Sequence, residues 1–163
     1  MDNEIKTHLG TLIMPIGLPR SGKSTWARDS GLPIVCPDSI RLAIHGKPFD
    51  QAYEKEVWKV ARIMVEALFI SGHSSIILDA TNLSKKNREA WIDDRWTRSY
   101  KLFTDVSKSV CKERALATNQ EYLIPVIDRM VANYKPLDED DFDGELGEEE
   151  HSLISNSNVA LPE

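Results

Sequence analysis

The stretch Gly17-Leu18-Pro19-Arg20-Ser21-Gly22-Lys23-Ser24 constrains this chain more than any other. It fits G-x-x-x-x-G-K-[ST] without a mismatch, at Gly17, Gly22, Lys23 and Ser24. Glycines there let the backbone curl until successive amide N–H groups point inward at phosphate oxygens, and a helix starting at Lys23 adds its positive N-terminal end. The Lys23 ammonium then reaches β- and γ-phosphates as a point charge, the Ser24 hydroxyl completes a Mg²⁺ shell, and Arg20 adds charge at the rim. A strand must lead into this loop and a helix must leave it. The expected nucleotide-binding set is Gly17, Arg20, Ser21, Gly22, Lys23, Ser24 and Thr25, with ATP and Mg²⁺ as cofactors.

The flanking sequence meets that demand. "LGTLIMPIG" is a short apolar run with the flanks of a buried parallel strand, and "KSTWARDSG" is a helix closed by Gly31. Pro15 lacks a ladder donor, so it is expected at the strand end or beside a gap in pairing. "LPIVC" reads as a second strand and "PDSIRLAIHG" as a short helix opened by Pro37. In "DQAYEKEVWKVARIMVEALFISG", Tyr53, Val57, Val60, Ala61, Met64, Val65 and Leu68 recur at three and four, which predicts a long helix with one buried face. "SSIILDATN" is a third strand ending at Asp79. A polar helix "SKKNREAWIDDRWTR", a strand "YKLFTDV" and the helices "KSVCKERALA" and "IPVIDRMVANY" complete the pattern. Alternating strands and helices predict the three-layer α/β/α P-loop NTPase architecture: a parallel sheet with helices on both faces and a ligand site beyond the strands' carboxyl ends. The glycine-rich loop, Asp38 and "DATN" all fall there.

Charge is unevenly distributed. Ten of the 26 acidic residues lie in residues 138–163, where there is no Lys or Arg, leaving 16 acids against 20 basic residues and about +4 on the body. A basic body suits a polyanionic ligand. The tail has few apolar groups and is expected to be disordered, either as a solubilising extension or as a flap across the basic cleft. The charged N-terminus and the absence of a bilayer-length apolar run predict a cytoplasmic protein. Cys36 and Cys111 have neither disulfide-framework nor metal-ligand spacing and read as free thiols.

The longer stretch "GLPRSGKSTWAR", with "PDSIR", "LDATNL" and "IPVIDRMVANY", resembles the 5′-hydroxyl polynucleotide kinase domain of bacteriophage polynucleotide kinase-phosphatases, over roughly residues 9–136. The resemblance implies a kinase domain over residues 1–137 that transfers the ATP γ-phosphate to 5′-hydroxyl ends of DNA or RNA. It implies Asp38 as general base, where an N-cap is the plainer role, and Arg41 as an acceptor contact, where a solvated helix arginine is the plainer one. It implies Asp79 as a carboxylate near Mg²⁺ alongside Ser24, and Thr81 and Asn82 as acceptor contacts, although a simple strand-to-helix turn fits these two as well. Arg114 matches a lid arginine that closes over ATP, so Lys23, Asp38, Arg41 and Arg114 form the expected catalytic set.

The chain departs from its relatives in one respect: no Arg or Lys lies between Arg114 and Pro125, where a second lid arginine often stands, and Lys112 or Arg129 is left to compensate. No Asp-x-Asp-x-Thr motif for a 3′-phosphatase appears, and no such domain is expected. Of the four tryptophans, Trp26 and Trp58 fall on apparent core faces and read as packing rather than base-stacking residues. A nucleoside, a modified base or a small hydroxyl compound remains an alternative acceptor. A nucleotide-binding module with weakened catalysis is a further alternative.

Overall fold

The computed structural model describes residues 7–159 and 161–163. The expected charged N-terminus, and the start of the domain at residue 1, extend over residues 1–6, outside the described residues. Four parallel strands form one sheet: β1 (Gly10–Ile16), β2 (Ile34–Val35), β3 (Ser75–Leu78) and β4 (Trp96–Leu102), in the order β2-β3-β1-β4. The flanking helices are α1 (Lys23–Asp29), α2 (Pro37–His45), α3 (Glu54–Ile70), α4 (Lys85–Glu89), α5 (Lys108–Ala117), α6 (Leu123–Asn133) and α7 (Glu148–Ser157). This is the α/β P-loop fold. Among the described residues, no helix is long and apolar enough to cross a membrane.

β1 is an interior strand, between β3 and β4, and its Leu12, Met14 and Ile16 side chains are wholly buried. It pairs with β3 only from Thr11 to Ile13 but with β4 along its whole length. Odd-numbered β1 residues face β3: the amide of Thr11 donates to Ser74 O and that of Gly17 to Thr81 O. The missing Pro15 N–H falls just past Ile13, the last β1 residue paired with β3, where the ladder stops. The Pro15 carbonyl is capped by the Asn82 side-chain amide at 2.9 Å.

α3 buries Val57, Ala61, Val65 and Phe69, each one turn after the last, while Tyr53 and Met64, expected on that face, are exposed. The polar helix ends at Glu89, and β4 begins at Trp96 rather than Tyr100. Trp96, Arg98 and Tyr100 alternate inward along β4. An inward arginine breaks the apolar alternation, which hid the start of the strand.

The tail expected to be disordered is folded against the body. Arg88 and Asp141 are both fully buried and pair bidentately at 2.8 and 3.1 Å, and Arg88 also donates to the carbonyls of Asn82, Lys135 and Pro136. Asp143 binds the Arg98 guanidinium at 2.7 Å and accepts the Arg98 backbone N–H at 2.8 Å, satisfying a donor of edge strand β4. Lys85 meets Asp138 and Asp140, Tyr100 donates to Asp141 O, and Tyr134 donates to Ser157 O. Like charges repel within the tail, yet Asp138, Asp140, Asp141, Asp143 and Glu163 find counter-charges in the body. Among the described residues, none beyond Met130 lines the cleft, so the described part of the tail does not lie across it.

Candidate active site

At the carboxyl ends of the strands a cleft of about 1440 Å³ opens over the phosphate-binding loop. A Cβ on Gly17 would sit 2.6 Å from Ser21 Oγ and 2.7 Å from Phe103 Cβ, so only glycine lets the loop leave β1 here. Gly22 holds φ 103°, a left-handed conformation that glycine adopts without a steric cost, and α1 starts at the next residue. Arg20 is left-handed too, at φ 68°, which stores roughly 1 kcal/mol of strain or more in the loop.

Lys23 is buried, and its ammonium donates to Leu18 O at 2.6 Å and to Ser21 Oγ at 3.3 Å. Burial lowers its pKa to about 8, with partial compensation from the Asp79, Cys111 and Asp38 charges. The Ser24 hydroxyl donates to Asp79 Oδ2 at 2.7 Å. A hydroxyl and a carboxylate in contact are a hard-oxygen pair, which fits Mg²⁺ that keeps several waters and takes its remaining oxygens from phosphate. Among the described residues, no group of three His, Cys, Asp or Glu side chains forms a self-sufficient metal cage.

Asp38 lies in the first turn of α2 but does not cap it; Cys36 occupies the N-cap, with no side-chain bond. The Asp38 side chain is 82% exposed, lines the cleft and contacts Arg41 Nη1 at 2.6 Å. Arg41 is no solvated helix arginine: its guanidinium is gripped bidentately by Glu54 at 2.6 and 2.9 Å and lies 6.0 Å from the ring centroids of both Phe49 and Trp58. Burial opposes the Arg41 charge, but Glu54 and then Asp38 outweigh it and raise its pKa; the same hydrogen bond lowers that of Glu54. The Trp58 indole N–H donates to Glu54 Oε2 at 3.2 Å.

Thr81 and Asn82 both line the cleft, and the Asn82 side-chain amide donates to the carbonyls of Pro15, Ala80 and Leu78. Asn82 thus ties strand ends together from a buried, left-handed position at φ 49°. Arg114 docks on the loop by donating to Arg20 O at 3.0 Å. Lys112 is held by Asp128 at 2.6 Å, whereas Arg129 and Arg28 line the cleft with no ion pair or hydrogen bond among the described residues. Trp58, expected as a packing residue, packs against the core, and half-buried Trp26 and Trp58 both also line the cleft, while Trp91 and Trp96 are buried. Glu54 and Phe49 escaped sequence reading, because a partner 13 positions from Arg41 and a single loop aromatic leave no periodic signal.

A phosphate-binding loop on a parallel sheet, with Ser24 meeting Asp79 and Asp38 exposed opposite, defines a P-loop kinase. The chain belongs to the AAA domain family, which matches residues 12–137. It is similar to a chain of the Pnkp1/Rnl/Hen1 complex, at 28% identity and TM-score 0.59 over 70% of this chain and 41% of that one. A chain of the Pnkp1/Rnl/Hen1 RNA repair complex matches at 19% and 0.56, over 79% of this chain and 48% of that one. A protein of Chloroflexus aurantiacus described as a candidate kinase matches at 20% and 0.54, over 71% and 70% of the respective chains. This chain thus spans less than half of each of the first two. No curated protein matches it.

Proposed function

We propose that this domain is an ATP- and Mg²⁺-dependent kinase that transfers the γ-phosphate to the 5′-hydroxyl end of DNA or RNA. The observation that carries the reading is the exposed Asp38 carboxylate, free of any capping duty and held by Arg41 in the cleft that Lys23 also lines. The sequence similarity to a chain of the Pnkp1/Rnl/Hen1 complex supports a polynucleotide acceptor.

The loop amides and Lys23 bind and align the triphosphate, and Asp38 accepts the proton of the attacking 5′-hydroxyl. A bond forms between that oxygen and the γ-phosphorus, the bond to the β–γ bridging oxygen breaks, and ADP departs. Phosphoryl transfer needs positioning and charge stabilisation more than a strong base, so an ordinary carboxylate suffices. Ser24 and Asp79 would hold Mg²⁺, which would neutralise phosphate charge. In this reading Arg114, which donates to the Arg20 carbonyl, stabilises charge on the transferred group.

The test is acceptor competition at fixed ATP among a 5′-hydroxyl oligonucleotide, a nucleoside and a polyol. The highest kcat/KM is expected for the oligonucleotide. Preference for the nucleoside or polyol would overturn the polynucleotide reading and leave the kinase standing.

A further inference from the structure

Phe49, in the loop after α2, has no role in the chemistry above, yet it is 58% exposed and lines the cleft beside Leu42 and Pro48. A lone exposed apolar side chain needs no explanation. This ring, however, is backed by a built support. The Arg41 guanidinium lies 6.0 Å from the centroids of both the Phe49 and the Trp58 ring, Glu54 fixes that guanidinium with two bonds, and Trp58 donates to the same carboxylate. Trp58 in turn meets buried Trp91 edge-on at 6.4 Å. One side of the platform is rigid while its ring is open to solvent.

The charge around the ring selects its ligand. Arg41 is already matched by Glu54 and Asp38, so this wall presents no free cation to a further phosphate. Among the described residues, cleft cations without an ion pair include Arg20, Arg28 and Arg129, which come from the phosphate-binding loop, α1 and α6 instead. An open aromatic ring beside an exposed carboxylate and a neutralised arginine fits a flat, uncharged π system attached to the group whose hydroxyl Asp38 receives. Resting on the reading of the cleft as a polynucleotide kinase site, we propose that Phe49 is the stacking platform for the 5′-terminal base of the acceptor strand. Trp58, Arg41 and Glu54 are the positioning residues that hold it. Stacking on a ring is tolerant of base identity, so the platform recognises the presence of a terminal base rather than its sequence.

The test compares steady-state phosphorylation of two oligonucleotides, one ending in an ordinary 5′ nucleotide and one ending in an abasic residue, by the wild-type chain, Phe49→Ala and Phe49→Trp. Removing either stacking partner is expected to raise the acceptor KM roughly 10- to 100-fold. Phe49→Ala on the abasic strand should add nothing further, Phe49→Trp should restore the wild-type value, and the KM for ATP should hold. An unchanged acceptor KM in Phe49→Ala, or an equal rise on both strands, would overturn the platform alone. A wild-type chain that labels neither strand would overturn the polynucleotide reading, and the platform with it.

Discussion

The Ser24 hydroxyl donates a 2.7 Å hydrogen bond to Asp79, 55 residues away in sequence. The first residue belongs to α1 and the second follows β3, so the sheet itself sets their separation. Ser24→Ala is expected to raise the Mg²⁺ concentration for half-maximal turnover by roughly tenfold or more, with the fold intact. Titrating turnover against Mg²⁺ checks this, and an unaltered requirement would count against the pair as metal ligands.

Lys23 carries opposite consequences for stability and binding. Its folded pKa, about 8, lies below the ordinary lysine value of 10.5, so the destabilisation from burying its ammonium is fully present below about pH 8 and is relieved as pH rises towards 10.5. Lys23→Met should therefore raise the melting temperature at neutral pH by on the order of a few degrees while abolishing ATP binding. A lower melting temperature would contradict the burial argument.

Bound triphosphate favours the charged ammonium and raises that pKa again, so ATP binding should take up a proton above about pH 8 and weaken as pH rises. Calorimetry at about pH 9 in buffers of unequal ionisation enthalpy reads the uptake. Identical heats in all buffers would exclude it.

Glu54 acts on the acceptor side through Arg41. Glu54→Gln keeps the shape but weakens the bidentate grip, and truncation to alanine leaves Arg41 with Asp38 alone. The acceptor KM is expected to rise about tenfold in Glu54→Ala, corresponding to roughly 1.4 kcal/mol, and less in Glu54→Gln, with the KM for ATP unchanged. Parallel loss of ATP affinity would indicate general disruption instead.

The buried Arg88–Asp141 pair makes the acidic tail structural. Asp141→Ala strands a buried guanidinium and should cost about 3–5 kcal/mol, and truncation after Pro136 at least as much. Arg88→Met with Asp141→Leu removes the stranded charge but leaves the carbonyls of Asn82, Lys135 and Pro136 without that donor, so it should recover only part of the loss. Denaturant melts of the three variants decide the matter; a truncated chain as stable as the full one would mean that the tail contributes nothing.

What the sequence discloses follows the range of each interaction. The loop was legible because its strand, glycines and helix are contiguous, and Asp79 because it ends an apolar run. The Arg41–Glu54 grip, the Arg88–Asp141 pair and the Phe49 platform join residues from separate elements, and hydrophobic periodicity reports the face a residue occupies, not its partner. Arg88 and Arg98 were hidden for the same reason: charge in a sequence reads as surface until its counter-charge is located. Asn82 also lines the cleft, and its side-chain amide caps the carbonyls of Pro15 and Ala80, a structural duty that the sequence did not disclose.

The most direct measurement is transfer of label from γ-labelled ATP, with Mg²⁺, to 5′-hydroxyl DNA and RNA oligonucleotides, with 5′-phosphorylated copies and Asp38→Asn protein as controls. Label is expected on 5′-hydroxyl ends alone, with transfer by Asp38→Asn lower by roughly 10²- to 10⁴-fold and ATP affinity retained. No label on either oligonucleotide, in protein that binds ATP, would contradict the account.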